Sequence, residues 1–192
     1  MEATLHKQDL ILSAALQLFA DRGFDGTTVP VIAEAAKVGA GTIYRYFENK
    51  EALVNVLFEQ GTLSLTEATV GQLYQNGEDV RTQFRHLFYG MVHFAKQDIN
   101  HLHFIVTHAQ GWYLTDANKQ LFEQLQHGLY AFCDYGIEQQ MIRPLPSPVL
   151  IAIVFGAFKE LYNAVRLGGV ILSAELIEQV EECCWNAIEQ KK

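Results

Sequence analysis

From Lys7 to Arg22, apolar side chains recur at Ile11, Ala14, Ala15, Leu18 and Phe19, the spacing that gathers them on one face of an α-helix. Gly23 follows as the residue that ends it. A shorter apolar segment comes next, with Val29, Ile32, Ala33 and Ala36. Thr28 stands where a hydroxyl caps a first turn, and Pro30 falls inside that turn, where a missing N–H costs nothing. A third helix is predicted from Ala40 to Phe47. A fourth has Asn49 as its cap and Lys50 as its first residue, and turns Leu53, Val54, Leu57 and Phe58 inward. Beyond it the helical period predicts helices from Val80 to Lys96, Ile99 to Gly111, Thr115 to Met141, Ser147 to Leu167 and Ser173 to Gln190. The joints fall at Gly77, Asp98 to Asn100, Arg143–Pro144 and Gly168–Gly169. The only prolines are Pro30, Pro144, Pro146 and Pro148, so nothing interrupts this all-α pattern of nine helices.

Composition narrows the possibilities. The 192 residues are 49% apolar and carry a net charge of -8, enough for a buried core and unfavourable to indiscriminate nucleic-acid binding. The acidity is uneven. Residues 1–50 hold five Lys or Arg against six Asp or Glu, and within 37–50 Lys37, Arg45 and Lys50 face a single acidic residue, Glu48. Neither a signal peptide nor an uninterrupted apolar run of about 18 residues is seen, so no membrane span and a cytoplasmic location are expected. Three cysteines, Cys133, Cys183 and Cys184, lack Cys-x-x-Cys spacing and are expected as buried thiols on helices without a disulfide. Of the seven histidines, His101, His103 and His108 cluster most closely. None of the three lie four apart, so no metal is expected. With no nucleophile–base pair, phosphate loop or paired metal motif, neither an enzyme nor a bound cofactor is expected.

The chemistry-bearing stretch is residues 26–53, GTTVPVIAEAAKVGAGTIYRYFENKEAL. Ala33, Ala36 and Gly41 are small where two helices must cross closely, as in a helix-turn-helix, whose second helix is offered to a DNA major groove. A lysine at the start of the fourth helix opposes the macrodipole unless an anion lies between them. The order Thr-Thr, Ile-Ala, then Val-x-x-Gly-Thr-Ile-Tyr-Arg-Tyr-Phe with Lys three residues after the Phe resembles the tetracycline-repressor (TetR) family of bacterial transcriptional regulators. Two positions depart from the family pattern. Lys37 replaces a customary turn glycine, at a cost of about 1–2 kcal/mol if it stays left-handed, or else adds a cation near phosphates. Gly39 replaces a Ser or Thr cap.

The resemblance implies a three-helix DNA-binding head over residues 1–50 and a ligand-binding and dimerisation body over 51–192, with the last two helices pairing in a homodimer that spans a palindromic operator. It implies DNA contacts from Thr28, Lys37, Gly39, Ala40, Gly41, Thr42, Tyr44, Arg45, Tyr46 and Lys50. Arg45 is the candidate base reader, since a guanidinium matches guanine O6 and N7; Lys50 is the family's phosphate contact, and Phe47 an internal anchor. An effector pocket is expected among Phe84, Phe88, Met91, Phe104, His108, Trp112, Leu125, Leu129 and Phe155, although the same residues also suit an ordinary core. The dimer stripes are Ile151, Val154, Phe158 and Tyr162, with Ile177, Val180, Cys184 and Ile188. The implied function is a repressor released by a small hydrophobic molecule. The alternative is an architectural or protein-interacting DNA-binding factor without a small-molecule effector.

Overall fold

The structure, a computed structural model, describes residues 2–73 and 77–191. Among them are nine α-helices: α1 (Glu2–Arg22), α2 (Val29–Ala35), α3 (Ala40–Ile43), α4 (Lys50–Ala68), α5 (Val80–Gln97), α6 (Ile99–His108), α7 (Asp116–Glu138), α8 (Ser147–Arg166) and α9 (Ala174–Ile188), with one 3-10 turn at Val70–Gln72. The chain divides into two compact units. The first runs to Leu63 and takes in Asn100–Phe122; the second joins Ser64–Ile99 to the chain from Glu123 onward.

In the first unit, α1 begins at Glu2 rather than Lys7, the added residues including the good helix formers Glu, Ala and Leu. It closes on Gly23, whose φ of 70° is the left-handed conformation a glycine end provides. The following turn is fixed by Thr27. Its buried hydroxyl donates to Gly23 O at 2.8 Å and reaches Leu18 O at 3.2 Å. Gly26 must be glycine, because a Cβ there would lie 2.3 Å from Arg22 O. Helix α2 packs on α1 and α3 on α2. Ile11, Phe19, Ile32, Ile43, Leu53, Phe58 and Phe104 form a fully buried core. Asn55 ties α4 to the 113–115 loop, donating to Tyr113 O and accepting from Thr115 N–H, each at 2.8 Å.

The second unit is built on contacts of α5 and α8 with α9. Phe88 meets Phe158 edge-on at 5.6 Å, and Phe84 lies 5.3 Å from Trp185. Arg81 of α5 pairs with the buried Glu181 of α9, Nη2 donating to Oε2 at 2.8 Å. Helix α7 stops at Glu138 rather than Met141, because Gln140 turns left-handed at φ 57° and the Met141 and Ile142 N–H groups both donate to Gly136 O. An isolated bridge between Ile142 and Glu189 then fastens the end of α7 to the end of α9.

Helix α8 is long and apolar enough, by composition, to cross a membrane, although no span is expected from the sequence. It carries two apolar faces. Leu150, Val154, Phe158 and Tyr162, four residues apart, are buried within the chain, whereas Val149 and Ile153 are exposed. Val154, Phe158, Tyr162, Ile177, Cys184 and Ile188, expected as dimer stripes, are therefore core residues; Ile151 and Val180 are half-buried. The stripe is real, but the chain's own helices cover it first. Cys133 and Cys184 are buried as expected, while Cys183 is exposed, since neighbouring residues on a helix point about 100° apart.

Candidate functional site

Thr28 has the extended backbone of a helix cap (φ -122°, ψ 154°) but its hydroxyl makes no capping bond. The hydroxyl thus stays on the exposed surface in front of α2, with Pro30 inside the first turn as expected. After Ala36 the chain reverses through Lys37 at φ 54°, closed by Val38 N–H on Ala33 O at 2.9 Å. The left-handed lysine foreseen at this turn is present, and its side chain is exposed.

Gly39 is the cap of α3, with φ -71° and ψ 144°. The helix is a single turn, Ala40–Ile43, rather than a run to Phe47. Arg45 N–H bonds to Thr42 O and Tyr46 N–H to Ile43 O, so residues 44–46 continue as tighter turns. Gly41 and the aromatic and β-branched residues Thr42, Ile43, Tyr44, Tyr46 and Phe47 are weak helix formers, which accounts for the shortening. Ile43 and Phe47 anchor the segment inside. Gly39, Ala40, Gly41, Tyr44 and Arg45 are exposed, Tyr44 to 57%, and Thr42 and Tyr46 are half-buried. Gly41 is not at a helix crossing, since a Cβ there would meet nothing within 4 Å. Its open position suits close approach from outside instead.

Lys50 is committed differently from the expectation. Its Nζ donates to Phe24 O at 2.7 Å and Thr27 O at 2.9 Å and sits 3.8 Å from the Phe24 ring centroid. These carbonyls offset the macrodipole without an anion, leaving at most one of three ammonium donors for anything else. Asn49 caps α4 as expected, accepting from Ala52 N–H at 2.8 Å. The residue that sequence reasoning missed is Thr27, which builds the turn presenting Thr28. The Thr-Thr pair was the available signal.

In the second unit Phe84, Phe88, Met91, Leu129 and Phe155 converge on an apolar slit of about 40 Å³, joined by Thr69 and Cys133. Burial pushes the Cys133 thiol up to about 12, so it stays neutral. Ile151, Val154 and Ile188, expected at a dimer surface, also line this slit. Leu125 is buried but does not line it. Phe104, His108 and Trp112 belong to the first unit, where Phe104 and His108 pack near Phe19 and Trp112 is 72% exposed. Aromatic content marks what is buried or amphipathic and does not say which neighbours share a cavity.

The chain is similar along part of its length to an uncharacterized helix-turn-helix-type transcriptional regulator, YvkB of Bacillus subtilis, with 44% identity over 69 residues, 34% of this chain and 36% of that one. It thus spans about a third of that relative's length. Its fold matches a TetR family transcription regulator from Marinobacter aquaeolei at a TM-score of 0.80, 24% identity and 96% coverage of both chains. It also matches the ketosteroid transcriptional regulator KstR2 of Mycobacterium tuberculosis at 0.78, with 20% identity, covering 97% of this chain and 96% of that one. The family model for bacterial regulatory proteins of the tetR family matches residues 11–57, and that for the tetracyclin repressor-like C-terminal domain matches residues 58–190. With the exposed helix-turn-helix surface just described, these matches establish that the chain belongs to the TetR family and is a DNA-binding transcriptional regulator, not an enzyme.

Proposed function

We propose that the protein is a homodimeric cytoplasmic repressor that grips a palindromic operator through two copies of the 1–50 head and releases it when a small hydrophobic molecule binds the 51–192 body. The observation that supports the DNA-contact assignment best is the clustering of exposed Thr28, Lys37, Gly39, Ala40, Gly41, Tyr44 and Arg45 around the short α3, with Thr42 and Tyr46 at its edge. Arg45 reads a base, Lys37 meets a phosphate, and Lys50 chiefly positions the turn through the Phe24 and Thr27 carbonyls. The effector reading rests on the slit among Phe84, Phe88, Met91, Leu129 and Phe155, whose lining favours an uncharged apolar ligand. KstR2, which shares the fold, is described as a ketosteroid regulator.

Fluorescence anisotropy on operator fragments across a salt series tests the DNA contacts. Arg45→Ala is expected to relax preference at one base pair per half-site, a loss of about 1–3 kcal/mol of discrimination. Lys37→Gly should weaken binding evenly across sequences and lower the salt slope by about 0.9 per protomer, while removing the left-handed cost of about 1–2 kcal/mol. Weaker DNA binding by a chain no less stable separates contact from folding. Salt-insensitive binding without sequence preference would sink the assignment.

One observation favours the second reading, a DNA-binding factor without a small-molecule effector. A slit of about 40 Å³ is far below the roughly 300–1,000 Å³ of ordinary ligand sites. Any effector must therefore part the side chains that line it. Titrating operator-bound protein with long-chain and polycyclic apolar compounds decides between them: release by any of them supports the effector, and intact complexes throughout support the second reading.

A further inference from the structure

A groove of about 300 Å³ lies within the first unit, lined among others by Phe19, Phe24, Asp25, His108, Trp112 and Tyr113. We propose that this groove is a binding site for a small planar aromatic molecule bearing one hydroxyl or N–H donor, of the phenol or indole class, which hydrogen-bonds to His108 Nε2. His108 lines the groove but is only 3% exposed, and its buried Nε2 finds no hydrogen-bond partner among the described residues, so a donor reaches it only as the side chains of the groove part. The other ring nitrogen is committed. Nδ1 lies 3.0 Å from both Phe104 O and Thr107 Oγ1; the carbonyl only accepts and the Thr107 hydroxyl donates to His103 O at 2.8 Å, so Nδ1 carries the proton and neutral His108 presents Nε2 as a bare acceptor. Burial supports the neutral form by holding the imidazole below its usual range. A buried acceptor left unpaired is costly, which is why it selects for a donor.

The walls suit a flat ring. Phe24 is already covered, by Lys50 Nζ 3.8 Å from its centroid and by Tyr113 stacked at 3.9 Å, so the ring left open to a ligand is the exposed indole of Trp112, which meets Phe24 edge-on at 5.7 Å. Trp112, largely exposed, forms a lip that a ligand can cover. Asp25 is exposed beside the groove, a place for a second donor but no place for an anion. The site is distinct from the apolar slit and lies against the turn that Lys50 and Thr27 hold in front of α2. A ligand here would brace that turn.

Imidazole and indole ¹⁵N NMR on the full-length chain tests this with phenol and with anisole, which has the same ring and no donor. Phenol is expected to shift the His108 Nε2 resonance saturably and to bind at least about fivefold more tightly than anisole, with the Trp112 indole N–H moving too. His108→Phe should assign that resonance and bring the two affinities together. Trp112→Ala, a change at an exposed side chain, should weaken phenol binding several-fold. Should His108→Phe fail to fold, the phenol–anisole ratio in the native chain and the Trp112→Ala loss still decide. Equal binding of the two compounds, a response at another histidine, or no saturable response, as for a groove that holds only water, would overturn the proposal. No DNA enters the measurement, so its failure is separable from failure of the repressor assignment.

Discussion

His108 shows how one side chain's surroundings become a property of the whole chain's stability. Its imidazole is held below the ordinary value of 6.5, chiefly by burial and also by the nearby His103, with the Phe104 carbonyl opposing. Tyr113, facing the same groove, is pushed the other way, to about 12, by burial and the neighbouring Asp25, so it adds no charge near neutral pH. The sign follows from proton counting. The unfolded chain takes up a proton on this histidine as pH falls through about 6.5, where the folded chain still resists it. The stability His108 contributes is thus fully present above that value and is lost as pH falls from it toward the folded pKa. Urea unfolding at pH 8 and pH 5.5 should show a drop in midpoint that is smaller in His108→Phe. Equal drops in the two proteins would mean that other groups carry the acid sensitivity.

At the level of helices, the pairing of α5 with α9 depends on a charge that has little access to water. Glu181 is 2% exposed, and its carboxylate is met by Arg81, whose guanidinium also lies 5.1 Å from the Trp185 ring. Arg81→Met keeps much of the side-chain volume but leaves that carboxylate buried without its cation, a loss expected at about 3 kcal/mol. Adding Glu181→Leu should restore most of it, because removing both charges lifts the desolvation penalty along with the attraction. Chemical denaturation of the two variants reads this out, and a double variant no better than Arg81→Met would refute it. The starts of α5 at Val80, α6 at Ile99 and α8 at Ser147 were legible in the sequence because apolar period and the glycine, Asx and proline breakers at the joints are local signals. So was the inward turn of Phe47 after α3. The Arg81–Glu181 pair, the capture of Lys50 by Phe24 and Thr27, and the choice of which α8 face turns inward were not. Each depends on a partner distant in sequence or on two apolar faces of equal appearance. The shortening of α3 and the turn at Gln140 were missed for a related reason: an apolar pattern continues past the point where the backbone leaves the helix.

For the molecule as a whole, charge and exposed apolar surface both bear on the proposed homodimer. With a net charge of -8 and three cations within residues 37–50, Lys37, Arg45 and a largely engaged Lys50, one head neutralises few phosphates and should bind DNA weakly. Joining two heads converts the second contact into an intramolecular one, which raises affinity by about 10²–10⁴ without any new contact. An interface on the outward face of α8 would join them. Val149 is 43% and Ile153 37% exposed there, on a helix whose other apolar face is already inside the chain. An arginine at Ile153 would bring one cation from each protomer into a two-fold interface formed by this face, where like charges are both desolvated and repelled. It should leave the protomer folded, since an arginine at that exposed site can carry its head into water. Ile153→Arg is therefore expected to sediment as a folded monomer at micromolar concentration and to lose operator affinity by about the avidity factor of 10²–10⁴, with the sequence preference of each head retained. A dimer of unchanged affinity would place the subunit interface away from this face of α8, and a monomer that still bound operator tightly would mean that a single head suffices.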